Sequence, residues 1–150
     1  MKKLSILLLL VVGLVTEVAA QDVKIITIVE SIVPGGIGRS RMIENTSKVD
    51  VSAFTTARKE GTDGGEQRKV SRKSIKVDEF NETKLLNFFS LLGINFQNFA
   101  SNDAIIAQRT AELLAQGYEL KHVASGVESN AGEPDGQGIF ITRMFFIKNP

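Results

Sequence analysis

The alternation of apolar and polar positions predicts a small domain built around strands. Residues 23–33 are rich in β-branched side chains and contain neither Gly nor Pro, which is typical of a central strand. Residues 39–43 follow a turn rich in Gly and can return as a second strand, and residues 49–56 predict a short third one. Residues 118–125 and 139–148 predict two more strands, and the loop between these two favours an antiparallel pair.

Two further segments carry the period of an amphipathic helix. The first covers residues 81–92, with a capping Asn at its start and Gly93 after its end, and its apolar positions share one face: Leu85, Phe88, Phe89 and Leu92. The second begins at a cap on Ser101 or Asn102 and ends at Gly117. We therefore expect an α+β fold, in which an antiparallel sheet of about four to five strands carries two helices packed on one face.

The first 20 residues have the pattern of a bacterial signal peptide. Lys2 and Lys3 precede an apolar run over residues 4–15, and small side chains stand at Val18 and Ala20. As a helix, the run would be about 18 Å long, too short for the roughly 30 Å hydrocarbon core of a membrane. We expect cleavage after Ala20, no stable membrane span afterwards, and a periplasmic or extracellular location.

Composition limits the mature chain further. The full sequence has 18 basic and 17 acidic residues, and cleavage would remove Lys2, Lys3 and Glu17, which leaves a formally neutral protein. A neutral chain does not favour a nucleic-acid partner. The sequence contains no cysteine, so disulfides and lipid attachment at an N-terminal cysteine are excluded. We expect residues 21–150 to form a single domain with a mobile basic loop at about residues 58–73.

A short motif near the C-terminus suggests a relative. The order of a helix, Gly117-Tyr118-Glu119-Leu120, a strand, a loop and a final strand with Phe140, Arg143 and Phe145 resembles a small bacterial domain of unknown function. That family has Gly-Trp-Glu-Leu at the end of its helix, so Tyr118 stands in place of Trp. The resemblance covers about a third of the chain, from Asn102 to Lys148, and implies a compact sheet with a helix across one face. It implies no activity.

The most distinctive local feature is the turn at residues 34–41, Pro-Gly-Gly-Ile-Gly-Arg-Ser-Arg. Exposed amides in a Gly-rich turn, beside basic and hydroxyl side chains, can hold a phosphate, sulfate or carboxylate. The candidate ligand-binding residues are Gly36, Gly38, Arg39, Ser40 and Arg41. The dinucleotide and phosphate-loop patterns both fail, because Arg41 occupies the third glycine position and no Gly-Lys-Ser/Thr follows. A plain hairpin connection is the alternative.

Other candidates for chemistry are weaker. His122 is the only histidine, so with no cysteine a zinc site rich in histidine is excluded, and no nucleophile elbow accompanies it. Glu128, Glu133 and Asp135 share a loop, but their spacing does not match a calcium-binding loop. Four phenylalanines between residues 88 and 99 can form either a ligand stripe or part of the core. We therefore predict no catalytic residue, no metal site and no cofactor.

These observations favour an exported binding or structural module over an enzyme. Its contact surfaces would be the Gly-rich turn, which could take an anion or a glycan, the basic loop, or an exposed sheet edge. Strands that are apolar on both sides, such as residues 139–147, need cover on both faces, so self-association into a homo-oligomer is expected. The alternative function is a small hydrolase of envelope polymers.

Overall fold

The structure is a computed structural model that describes residues 21–33, 39–57, 69–90, 92–128 and 138–150. The elements within these ranges, in chain order, are β1 (Asp22–Ser31), β2 (Arg41–Asn45), a 3-10 helix (Val51–Phe54), β3 (Phe80–Lys84), β4 (Phe89–Ser90), β5 (Gly93–Ile94), α1 (Phe96–Ala115), β6 (Glu119–Val127) and β7 (Ile139–Lys148). No helix among the described residues is long and apolar enough to cross a membrane.

Five of the strands form one antiparallel sheet in the order β3-β2-β1-β7-β6. The longest pairing joins β1 to β7 over ten residues, from Asp22 opposite Lys148 to Ser31 opposite Ile139. β6 and β7 pair as predicted, with a bulge between Leu120 and His122. The strands predicted near residues 23–33, 39–43, 118–125 and 139–148 are therefore confirmed. β4 and β5 form a separate two-stranded hairpin.

The core lies between α1 and one face of the sheet. Side chains of strand residues alternate between faces, and those that point toward α1 supply most of the core: Ile26, Ile28, Met42, Met144 and Phe146. Leu113 of α1 is fully buried among them. Gly117 ends the helix region with φ +86°, as expected for a left-handed turn. Tyr118 follows, and it is buried while its hydroxyl donates to the carboxylate of Asp22.

The predicted cap of α1 is wrong by about two turns. Asn95 caps the helix, and its side-chain oxygen accepts from the Gln97 N–H at 3.0 Å. Asn102 lies inside the helix and is fully buried. Its amide donates to the Leu86 carbonyl at 2.9 Å and accepts from the Leu86 N–H at 2.8 Å. The polar side chain that looked like a cap therefore binds the backbone of the segment packed beside the helix.

The predicted α+β arrangement with two helices on one face is also wrong. The structure has mostly strands, and α1 is the only complete α-helix within the described ranges. Residues 80–84 form β3, which pairs with β2 from Phe80 opposite Asn45 to Lys84 opposite Arg41. Hydrogen bonds to β2 satisfy the backbone N–H and C=O groups of this segment. A short helix would have to satisfy them within itself, and a short isolated helix is only marginally stable. The supposed helical face also divides, because Leu85 is buried whereas Leu92 is fully exposed.

The strand predicted at residues 49–56 is replaced by the 3-10 helix. Asp50 caps it, because its carboxylate accepts from the N–H and the hydroxyl of Ser52 at 3.0 and 2.6 Å. Asp side chains compete with sheet ladders by forming such local hydrogen bonds. The β-branched residues in this segment are therefore insufficient to make a strand.

The sheet has a second face that points away from α1. Its side chains include an apolar set from the three central strands, which the polar pair Thr27–Arg143 interrupts in the middle of β1 and β7: Val23, Ile25, Val29, Ile43, Ile141, Phe145 and Ile147. Val23 is 53% exposed and Ile25 is 42% exposed. We call this set the outer face. No helix from the described part of the chain packs on it.

Candidate anion-binding site

Three of the five predicted ligand-binding residues are described by the structure. Arg41 is the first residue of β2, and Arg39 and Ser40 directly precede it, whereas Gly36 and Gly38 lie outside the described residues. The three described residues line one cavity of about 440 Å³. The remaining lining residues come from the end of β3, the segment that follows it, β4 and α1: Lys84, Leu85, Leu86, Asn87, Phe89 and Asn98. The fold thus brings a third basic side chain, Lys84, to the predicted pair of arginines.

Strand pairing creates the basic character of this cavity. Arg41 and Lys84 are direct partners in the β2–β3 register. Like charges at directly opposite positions repel each other unless an anion lies near them. One such anion is already present, because the Arg41 guanidinium contacts Glu82 Oε1 at 2.6 Å on the exposed surface. Exposed ion pairs of this kind are weak and exchange readily with other anions.

Arg39 and Lys84 are exposed, and no acidic side chain among the described residues neutralises their positive charges. No ion pair joins either of them to an acidic side chain in those ranges. Three cations thus line the cavity, and the Glu82 carboxylate, which contacts Arg41, is not among the described lining residues. Arginine offers a planar set of N–H donors that matches phosphate, sulfate and carboxylate oxygens, and lysine adds a compact positive charge.

Ser40 has a structural role in this arrangement. It is buried, and its hydroxyl and its backbone N–H both bond Asn87 Oδ1, at 2.9 and 3.1 Å. The same hydroxyl oxygen accepts from the Ser31 N–H at 2.9 Å. Asn98 then donates to the Asn87 carbonyl at 2.7 Å. Ser40 therefore holds the cavity wall between β1, β2 and the helix, and the arginines on either side of it provide the charge.

Sequence reasoning missed Lys84 and Asn87. Both fell inside the predicted helix at residues 81–92, where nothing relates them to Arg41. The only local signal for a strand is the presence of Phe80 and Thr83, two residue types with a preference for strands. That signal is weaker than the helical spacing of the leucines and phenylalanines that follow.

The other sequence candidates do not join this cavity. His122 lies on the exposed edge strand β6 with its ring 5.8 Å from that of Phe145. Glu133 and Asp135 lie outside the described residues, as do residues 58–68 of the basic loop. Lys69, Arg72 and Lys73 at the end of that loop are exposed. Among the described residues, no group of three or more acidic or histidine side chains could hold a metal ion.

Comparison with protein-family models, with curated proteins and with solved structures finds no match to this chain. The resemblance around residues 117–120 therefore stays a prediction.

Proposed function

We propose that this chain is a small exported binding module that holds an anionic group, a phosphate, sulfate or sugar carboxylate, in the cavity beside β2. One observation carries the proposal: Arg41 and Lys84 are paired across β2 and β3, and Arg39 lines the same cavity. A bound anion would relieve the repulsion between these cations and would replace the Glu82 carboxylate on Arg41. Export rests on residues 1–20, which lie outside the described residues.

The test is binding of a panel of anions by the purified protein. Inorganic phosphate and sulfate test whether the ligand is a free anion. Glucuronate and a polygalacturonate test whether it is the carboxylate of an acidic glycan. We expect a thermal shift and calorimetric binding with at least one of them, weakened by added salt. Arg39→Ala combined with Arg41→Ala should abolish the shift, and Lys84→Ala should lower the affinity about tenfold.

Two further variants make this test specific. Arg72→Ala removes an exposed arginine that does not line the cavity and should leave binding unchanged. Glu82→Gln removes the internal competitor of the ligand and should raise the affinity. Absence of a shift across the whole panel, or equal losses in Arg72→Ala and in the double variant, would overturn the proposal. No observation on the described residues favours the alternative of an envelope-polymer hydrolase.

We also propose that two copies associate through the outer face. The three strands that carry the outer face span about 14 Å across, and their mean length of about 8 residues gives an area of about 400 Å² per copy. A standard protein–protein interface buries roughly 800 Å² per partner, so the outer face would form the apolar centre of the contact and the flanking strands β3 and β6 its rim. Val23 and Ile25 are exposed in the single chain, and stacking two sheets would bury both.

A further inference from the structure

A second cavity lies where β1 ends and β7 begins, on the α1 side of the sheet. Its volume is about 650 Å³, within the roughly 300–1,000 Å³ range of small-molecule sites. The described residues that line it come from β1, α1, β6 and β7, from the segment after β1 and from the segment before β4: Glu30, Ile32, Phe88, Phe99, Asp103, Ser125, Gly126, Val127, Phe140 and Thr142. None of these lines the anion-binding cavity, so the two sites are separate.

The walls of this cavity are aromatic and aliphatic. The Phe88 and Phe99 rings stack with their centroids 3.7 Å apart and an angle of 7° between their planes. Phe140 and Val127 add large apolar side chains that are 39% and 62% exposed. An apolar or aromatic ligand would cover these exposed surfaces, and the π-faces of phenylalanine rings attract cations.

The charged groups that line this cavity, among the described residues, are negative. They are Glu30 of β1 and Asp103 of α1. The Glu30 carboxylate accepts from Asn102 Nδ2 at 3.2 Å, and neither acid forms an ion pair with a basic residue in the described ranges. Burial raises the pKa of Glu30, and the nearby charge of Asp103 raises it further. Two like charges beside an apolar wall are costly without a cation.

Polar groups are present beside the apolar wall as well. The Ser125 and Thr142 hydroxyls bond each other at 2.8 Å, across β6 and β7. They can also orient a polar group of a ligand. A few placed polar groups among apolar side chains are characteristic of small-molecule sites.

We infer that this cavity binds an amphipathic cation, an aromatic or bulky apolar group that carries an ammonium, with its charge at Glu30 and Asp103 and its rings against Phe88, Phe99 and Phe140. The inference does not depend on the anion-binding proposal. The choice of ligand class depends on both charge and shape. The two acids repel an anion of the same shape, and the apolar wall disfavours binding of a small hydrated cation.

The test uses three naphthalene compounds that differ in one group: naphthylethylammonium, naphthylethanol and naphthylpropionate. The full-length gene product is expressed and purified as the cell processes it. The chain has no Trp and a single Tyr, so naphthalene emission can be followed directly, with calorimetry as a second readout. We expect the ammonium to bind about tenfold more tightly than the alcohol, and the carboxylate to bind more weakly than both.

Variants locate the binding and separate its causes. Glu30→Gln and Asp103→Asn keep the size of each side chain and should each weaken the ammonium about fivefold, with little effect on the alcohol. Phe140→Ala should weaken both ligands. Asp78→Asn, an exposed acid that does not line this cavity, is the matched control and should change neither affinity.

Three results with the ligands and the acid variants would overturn the inference. They are no binding by any of the compounds, equal binding of ammonium and alcohol, and ammonium binding that is unaffected by Glu30→Gln and Asp103→Asn. Binding that Phe140→Ala leaves unchanged would place the ligand elsewhere and would also overturn it.

Discussion

The single tyrosine of the chain gives a direct measure of how its N-terminal strand is fixed to the helix region. Tyr118 is buried, and its hydroxyl donates to the Asp22 carboxylate at the start of β1. The Lys24 and Lys148 ammonium groups lie 5.4 and 5.8 Å from the centre of its ring. The hydrogen bond to Asp22, then burial, then the negative charges of Asp22 and Glu44 together raise the pKa of Tyr118 from 10.0 to about 12.

The size of this pKa shift can be expressed as the fraction of Tyr118 that is ionised at a given pH. With a pKa of about 12, about a tenth of Tyr118 is ionised near pH 11, whereas a tyrosine with an ordinary pKa is about nine-tenths ionised there. Asp22→Asn removes the carboxylate. That carboxylate accepts the hydrogen bond that is the largest cause of the raised Tyr118 pKa, and it is also one of the two negative charges that raise it. The amide oxygen that replaces it is a weaker acceptor, so the pKa should fall toward 10.

The assay is a titration of the tyrosinate absorbance, which no other residue contributes to because the chain has one Tyr and no Trp. Circular dichroism at each pH shows whether the protein is still folded, and Asp78→Asn is the control for loss of an exposed acid. In denaturant the midpoint should return to about 10. Since the pKa is raised on folding, this group stabilises the fold below pH 10, and that contribution is lost as the pH rises through about 12.

Two results would contradict this reasoning. The first is a midpoint near 10 in wild-type protein that is still folded. The second is a midpoint that Asp22→Asn leaves unchanged, which would show that burial, and not the carboxylate, controls the titration.

Three more predictions follow from other parts of the fold. Gly138→Ala should destabilise the protein by about 1–3 kcal/mol, because Gly138 has φ +109° and an added Cβ would lie 2.4 Å from Ile32 Cγ1. Chemical denaturation measures this change, and an unchanged midpoint would contradict it. Glu30→Gln should gain stability relative to wild type as the pH rises from below 4.5 toward neutral, because a carboxylate with a raised pKa stabilises the fold only while it is protonated; parallel pH profiles would refute this. Light scattering should show a wild-type dimer that Ile25→Lys on the outer face converts to a monomer, and a wild-type monomer at high concentration would exclude the association.

The central strands of the sheet could be predicted from the sequence because the residue types within each strand already favour strand structure. β1 and β7 are runs of β-branched and aromatic residues without Gly or Pro, and such runs favour strands wherever they are placed. β6 follows Gly117, whose positive φ ends the helix region by the backbone chemistry of glycine alone. Arg39 and Arg41 are two residues apart in the chain, so their proximity at the cavity is also a local property.

The errors occur where distant residues compete with local preference. Asn102 has the features of a cap, yet burial against the Leu86 backbone gives it a different role within α1. Residues 81–92 have helical spacing, but β2 offers unpaired backbone groups along one edge, and pairing with them makes β3.

The sequence by itself thus determined the strands of the sheet centre, the end of the helix at Gly117 and two arginines of the candidate anion site. Only the tertiary structure decided that Lys84 stands opposite Arg41, and that Glu30 and Asp103 share one cavity with Phe140. The physical reason is that periodicity and turn chemistry act between near neighbours, whereas strand register and cavities depend on side chains that lie far apart along the chain.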